Sequence, residues 1–147
     1  MVIGIFGESC TGKSILAEKI AANFPCDVFT GKDWLRLAKN ENIAKAMFRT
    51  KLASAVSGEN IIYVISEKEH LDLLPEGAVR VLMTADLELI KSRFAQRMHG
   101  VLPTPVMIML ERKHGCFDGE AHDIHVVSGE TDIETVVLQI TSKGRNE

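Results

Sequence analysis

The chain has no excess of positive charge and no hydrophobic run long enough to cross a membrane. Its 17 lysines and arginines are outnumbered by 20 aspartates and glutamates, which leaves a net charge of −3 over 147 residues. An acidic balance provides no broad basic field for a nucleic acid polymer. The opening apolar run, Val2 to Phe6, is far shorter than the roughly 20 residues of a membrane-spanning helix. We therefore expect neither a nucleic acid nor a membrane as partner, and we expect a small-molecule ligand.

Cysteine is also scarce. The three cysteines, Cys10, Cys26 and Cys116, are odd in number and form no C-x-x-C pair. This pattern favours reduced thiols over a disulfide framework. Because no leader or transmembrane pattern opens the sequence, we expect a cytoplasmic protein, either a monomer or a homodimer.

No internal repeat, low-complexity tract or linker divides the sequence, and its length suits one domain with one core. Short apolar runs alternate with helical patterns, and this alternation predicts an α/β fold with a parallel sheet. The five expected strands are Met1–Phe6, Asp27–Thr30, Asn60–Ile65, Val79–Thr84 and Asp123–Val127. Helical spacing is clear between Ala44 and Ala55, with Gly58 as the expected stop, and Asp86 is the expected cap of a helix that runs to His99.

A complete phosphate-binding motif, G-x-x-x-x-G-K-[ST], follows the first strand directly. Its residues are Gly7, Glu8, Ser9, Cys10, Thr11, Gly12, Lys13 and Ser14, and we call them the phosphate loop. Glycines let such a loop curl so that its N–H groups surround phosphate oxygens at a helix N-terminus. Lys13 is predicted to reach the β- and γ-phosphates, and the Ser14 hydroxyl to bind Mg²⁺. The motif predicts ATP and Mg²⁺ as cofactors; the alternative, a chance match in a glycine-rich turn, does not explain the strand before it and the helix after it.

The motif alone does not separate a switch GTPase, a motor ATPase and a small-molecule kinase. The Asn-Lys-x-Asp and Asp-x-x-Gly segments expected of a GTPase are missing, and a motor ATPase is normally longer. Two arginines favour a kinase. Arg93 and Arg97 stand four residues apart on one face of the predicted Asp86–His99 helix, just before a Gly- and Pro-containing stretch at 100–105 that is typical of a mobile lid. Arginines brought in by a lid can stabilise a phosphoryl group in transfer, although two solvated surface arginines are the plainer alternative.

Residues 30–36, Thr-Gly-Lys-Asp-Trp-Leu-Arg, resemble the Thr-Gly-Asp-x-Leu-Arg stretch of adenylate kinases, with one residue inserted. The resemblance, weaker outside the phosphate loop, extends to nucleoside monophosphate, cytidylate and shikimate kinases. It implies a three-layer P-loop fold with a five-stranded sheet of order 2-3-1-4-5, an acceptor-binding helical insert at 33–58 and a lid region at 98–115. It also implies that Arg36 holds an acceptor phosphate and that Asp33 lies near the acceptor or its Mg²⁺. From the residues alone, Asp33 is equally a helix N-cap, and Arg36 a surface partner of Glu41.

Two departures from this family bear on the substrate. Adenylate kinases have Asp-Gly-Phe-Pro-Arg where this chain has Ser66-Glu67-Lys68-Glu69-His70, so an acidic residue and an acceptor arginine are missing. Glu67 either replaces the missing acidic residue near Mg²⁺ or opens a helix. Ile15 stands where the relatives usually place a threonine for the α-phosphate.

Taken together, the sequence predicts a kinase that moves the γ-phosphoryl group of MgATP to a small acceptor, with a nucleotide or nucleoside as the first choice. Lys13, Arg93 and Arg97 are the expected catalytic residues. Residues Gly7 to Ile15 are expected to bind the nucleotide, and Asp33 and Arg36 the acceptor. The alternatives are a shikimate- or sugar-type kinase, and a nucleotide-binding module without transfer activity.

Overall fold

The computed structural model describes residues 1–145, which fold around a five-stranded parallel sheet. The strands are β1 (Val2–Gly7), β2 (Asp27–Thr30), β3 (Ile61–Ile65), β4 (Val79–Thr84) and β5 (Ile124–Val127). Their order across the sheet is β2-β3-β1-β4-β5, and every neighbouring pair is parallel. The predicted fold class and strand order are therefore confirmed, and the predicted strand ends are correct to within one residue.

The central strands are buried on both faces, which explains why their sequences are continuously apolar. Because successive side chains of a strand point to opposite faces, β3 feeds two separate cores. Ile61, Tyr63 and Ile65 pack in one core, whereas Ile62 and Val64 pack in the other. The sheet is thus the middle of three layers.

Five α-helices and two short 3-10 helices are found between residues 1 and 145. They are α1 (Lys13–Asn23), α2 (Glu41–Ala55), α3 (Leu87–Arg97), α4 (Thr104–Lys113) and α5 (Ile133–Arg145), with 3-10 helices at Asp33–Leu37 and Lys68–Leu73. Helices α1 and α5 cover one face of the sheet, and α2 with both 3-10 helices covers the other. None of these helices has the length and apolar character that a bilayer span requires.

The stretch expected to be a mobile lid is largely helical. Residues 98–103 and 114–115 are irregular, and α4 lies between them. This helix forms because Leu110 is buried and Val106, one turn before it, packs in the same small cluster with Ile90 of α3 and Cys10 of the phosphate loop. We keep the name lid segment for residues 98–115, whose movement stays a prediction.

Two predicted helix ends are wrong in detail, and a third is right in position but lacks its expected capping bond. Helix α3 ends at Arg97 rather than His99, because His99 and Gly100 both adopt left-handed backbone with φ of 62° and 90°. Asp86 stands at the N-cap position of α3, but its side chain makes no capping hydrogen bond. Helix α2 ends at Ala55 with a right-handed residue after it, so Gly58 is not its stop.

Candidate nucleotide site

The phosphate loop joins the carboxyl end of β1 to the N-terminus of α1. Gly12 precedes α1 in left-handed backbone, with φ of 94°, and Cys10 also has a positive φ of 65°. No side chain of the described residues caps α1, and its first turn carries no acidic residue. The first amide groups of a helix have no partner within the helix, so this N-terminus is suited to a bound anion.

Lys13 is folded back onto the loop. Its ammonium nitrogen donates to the carbonyl oxygens of Gly7 at 2.9 Å and Glu8 at 2.5 Å, and the side chain is buried. The pKa of Lys13 is lowered to about 8, mainly because burial disfavours the charged form; Cys10 and Glu8 act to raise it, and the nearby Arg97 charge acts to lower it. An ammonium held among carbonyl groups, with little water around it, is a strong attractant for phosphate oxygens.

The low pKa of Lys13 predicts a pH dependence of stability. A lysine near pKa 8 in the folded state and about 10.4 when unfolded binds fewer protons once folded, so stability should rise between these pH values. The gain is on the order of 3 kcal/mol, because each unit of pKa difference corresponds to about 1.4 kcal/mol. Chemical denaturation of the wild type and a Lys13→Met variant from pH 7 to pH 10.5 measures it. The wild type should gain stability relative to the variant, and parallel curves would contradict the prediction.

A cavity of about 150 Å³ adjoins Lys13 at the carboxyl ends of the strands. Two basic side chains, Lys13 and Arg97, line it together with the hydroxyl-bearing residues Ser14, Thr30 and Ser66. The basic groups and loop amides fit a polyphosphate. Ser14 fits a Mg²⁺ ligand, and among the described residues no cluster of three His, Cys, Asp or Glu offers a separate metal centre.

A second cavity, of about 340 Å³, lies on the other side of the phosphate loop. Met83, Ile133, Ser128 and Gly129 line it, and Arg97 and Ile15 border both cavities. Ile15 is 59% exposed although it is apolar. The two cavities together offer a charged end for phosphates and a more apolar end of a size for a base or sugar.

Arg93 and Arg97 both lie near the phosphate loop, but only Arg93 is hydrogen-bonded to it. Arg93 donates from one nitrogen to the carbonyl oxygen of Cys10 at 2.9 Å and to the Ser128 hydroxyl at 2.8 Å. It therefore ties the loop to the segment that follows β5. Arg97 borders the phosphate cavity itself.

Asp33 and Arg36 lie on the 3-10 helix after β2 and do not line the phosphate cavity. An Asp33 oxygen accepts from the Thr30 amide at 2.9 Å, so Asp33 is not the helix cap considered from the sequence. The Arg36 guanidinium lies 4.3 Å from the centre of the Phe29 ring. The ion pair with Glu41 that was the alternative role for Arg36 is not found among the described residues, and the Lys32 ammonium lies 3.8 Å from the Glu41 carboxylate.

Sequence reasoning missed the hydroxyl groups of the site. Thr30 is the last residue of β2, Ser66 follows β3 and Ser128 follows β5. Ligands of open parallel sheets bind outside the carboxyl ends of the strands, so polar residues at those ends were a usable signal. The contacts of the Glu8 side chain had no such signal, because its partners lie more than 100 residues away.

Gly7 is required by its close approach to β4. A Cβ at this position would lie 2.1 Å from the backbone carbonyl oxygen of Met83, which cannot move without shifting β4. Overpacking commonly costs about 1–3 kcal/mol, and a clash with sheet backbone should reach the upper end. We expect Gly7→Ala to lower the free energy of unfolding by about 3 kcal/mol. Gly119→Ala is the control in denaturant titration because its Cβ meets open space; equal stability of the two variants would contradict the prediction.

Comparison with known proteins gives relatives in structure but not in sequence. No protein-family model matches the chain, and no curated protein matches it in sequence. A gluconokinase from Sinorhizobium meliloti 1021 superposes with a TM-score of 0.60 at 18% identity, over 96% of this chain and 89% of that one. A sugar kinase from Janibacter sp. HTCC2649 gives 0.62 at 16%, over 96% and 92%. Shikimate kinase from Acinetobacter baumannii, in complex with shikimate, gives 0.59 at 11%, over 99% and 93%. The chain therefore has the fold of P-loop small-molecule kinases.

Proposed function

We propose that the protein is a phosphotransferase that moves the γ-phosphoryl group of MgATP to a small acceptor. The observation that carries this proposal is the joint placement of Lys13 and Arg97 in one cavity at the start of α1. A cavity that only held a nucleotide would not need a second cation from a distant helix. Two converging cations suit a group whose negative charge spreads during transfer.

Each residue has a role in this proposal. The bound MgATP would supply the phosphoryl group. Lys13 leaves its two loop carbonyls to bind phosphate oxygens, and Ser14 offers a hydroxyl to Mg²⁺. Arg97 stabilises the charge of the transferring group, and Arg93 holds the phosphate loop in position through Cys10. Positioning and charge stabilisation supply most of the rate enhancement in such reactions.

For the acceptor, we propose a nucleotide or nucleoside, bound where the segment after β2 meets the phosphate cavity. Thr30 lines that cavity, and an Asp33 oxygen accepts from the Thr30 amide, which supports a role for Asp33 beside the acceptor. Arg36 is held against Phe29 by a cation–π contact and is exposed, which leaves its other face open to a phosphate.

A hydroxylated acid or sugar is the second candidate acceptor. It is supported by the names of the structural relatives, a gluconokinase, a sugar kinase and a shikimate kinase. The hydroxyl groups of Thr30 and Ser66 in the cavity are also compatible with a neutral, hydroxylated acceptor.

An acceptor screen separates these candidates. ADP release from MgATP is measured with nucleoside monophosphates, nucleosides, sugars and hydroxylated acids, each against a water-only background.

If the acceptor is a nucleoside monophosphate, Arg36→Ala should raise the KM for that acceptor by about tenfold or more, because a hydrogen-bonded charge contact is lost. The exposed neighbour Lys39 is the control, and Lys39→Ala should leave KM within about twofold. If the KM is unchanged in Arg36→Ala, Arg36 does not contact the acceptor. If the protein binds MgATP but releases no ADP above background with any acceptor, it is a nucleotide-binding module without transfer activity.

A further inference from the structure

Glu8, the second residue of the phosphate loop, makes contacts that the motif does not require. Its carboxylate accepts through one oxygen from the His114 ring nitrogen Nδ1 at 3.1 Å and through the other from the Gly115 amide at 3.2 Å. The Glu8 side chain is only 10% exposed, so water competes little for these bonds. Both partners belong to the end of the lid segment, directly after α4.

The backbone carbonyl of the same residue contacts Lys13. The Glu8 carbonyl oxygen accepts from the Lys13 ammonium group at 2.5 Å and from the Thr11 hydroxyl at 2.9 Å. For Lys13 to bind a phosphate, it must leave this carbonyl. One residue therefore touches the lysine that changes partners and the segment expected to close.

The lid segment also packs near the phosphate loop through the small apolar cluster that contains Leu110 and Cys10, with Leu102 and Val106 packed against it. This packing places α4 near the loop but is not directional. The two hydrogen bonds to Glu8 are directional and charge-assisted, which makes them roughly twice as strong as neutral ones. They fix the position of the end of the lid segment relative to the phosphate loop.

We propose that the Glu8 carboxylate is a positioning residue that latches the end of the lid segment to the phosphate loop. This inference rests on the proposed function for its effect on turnover. The latch itself is independent of any acceptor, and its structural effect is measurable without transfer.

Two variants of Glu8 weaken the hydrogen bonds of its carboxylate to different degrees. Glu8→Gln keeps the shape of the side chain but removes its charge, so any bond that remains is a weaker neutral one, and Glu8→Ala retains neither bond. Backbone amide exchange is followed by mass spectrometry or NMR in the full chain. We expect exchange in residues 104–121 to rise about tenfold in Glu8→Gln and about 100-fold in Glu8→Ala. Exchange in α1 and α2 should stay within about twofold of the wild type.

A control and a second substitution make the test specific. Glu120→Gln removes a carboxylate that pairs with Lys68 near the same segment and does not touch the phosphate loop. It should leave the exchange of Gly115 unchanged. Combining His114→Ala with Glu8→Ala should add nothing to Glu8→Ala alone, because both remove the same bond.

Kinetics distinguish positioning from a general loss of structure. In Glu8→Ala the dissociation constant of the MgATP analogue AMPPNP, measured with Mg²⁺, should stay within about threefold, while kcat should fall about tenfold or more with little change in KM. The latch is overturned if exchange in residues 104–121 does not respond to either Glu8 variant, or if it rises equally in α1 and α2. Absence of turnover in the wild type would overturn the kinase assignment, but the exchange and affinity results would still decide the latch.

Discussion

Lys13→Met should abolish tight binding of MgATP and with it any phosphoryl transfer. The ammonium group is the buried cation of the phosphate cavity, and a methionine of similar length offers no charge to phosphate oxygens. We expect the dissociation constant of MgATP to rise at least about 100-fold, and kcat/KM to fall by about 10³ or more. Isothermal titration and ADP release measure the two effects.

The same variant should be more stable than the wild type when no nucleotide is present. The lowered pKa of Lys13 means that its charge destabilises the folded state at neutral pH, so removing the charge should add about 1–3 kcal/mol. Lys19→Met is the matched control, since Lys19 is exposed on the same helix and pairs with Glu134. That control should leave nucleotide affinity unchanged. A Lys13→Met protein that is less stable and still binds MgATP would contradict both expectations.

Arg97→Ala should reduce turnover far more than nucleotide binding. Arg97 borders the phosphate cavity without a hydrogen bond to the loop, so it is free to contact the transferring group. Arginines in this role contribute about 10³ or more to kcat. We expect kcat to fall by about 10²–10³ while the KM for MgATP changes less than about threefold. Steady-state kinetics over a range of MgATP concentrations measures both.

Arg93→Ala is the comparison for Arg97→Ala. The Arg93 guanidinium donates hydrogen bonds to the Cys10 carbonyl and the Ser128 hydroxyl. Loss of these bonds should loosen the phosphate loop and raise the KM for MgATP. The two variants should therefore differ in which kinetic constant they change. If Arg93→Ala lowers kcat and Arg97→Ala raises only KM, the two roles are reversed.

Much of the architecture follows from the sequence because local patterns dictate it. Runs such as Ile61 to Ile65 are apolar throughout only if both faces are covered, and alternation with helices then requires a parallel sheet. The strand order was implied by the family resemblance, and the sheet topology confirms that order. The position of the phosphate loop needed only the motif and its two flanks.

The parts that escaped the sequence depend on contacts between distant residues. Helix α4 is stabilised because Leu110 packs in one cluster with Cys10 and Ile90. The local sequence, which contains Gly100 and Pro103, does not predict this packing. The contacts that distinguish Arg93 from Arg97 include a hydrogen bond to the Ser128 hydroxyl, which lies beside Arg93 only after folding. Because the two arginines stand four residues apart on one face of α3, the sequence predicts the same role for both.

The most direct test follows the γ-phosphoryl group itself. In ³¹P NMR of the wild-type protein with MgATP and each acceptor of the screen, a new phosphate-ester or phosphoanhydride signal should grow as the γ-signal of ATP declines, and Lys13→Met should show neither change. Loss of the γ-signal only to inorganic phosphate, or no loss with any acceptor while MgATP binds, would contradict a phosphotransferase.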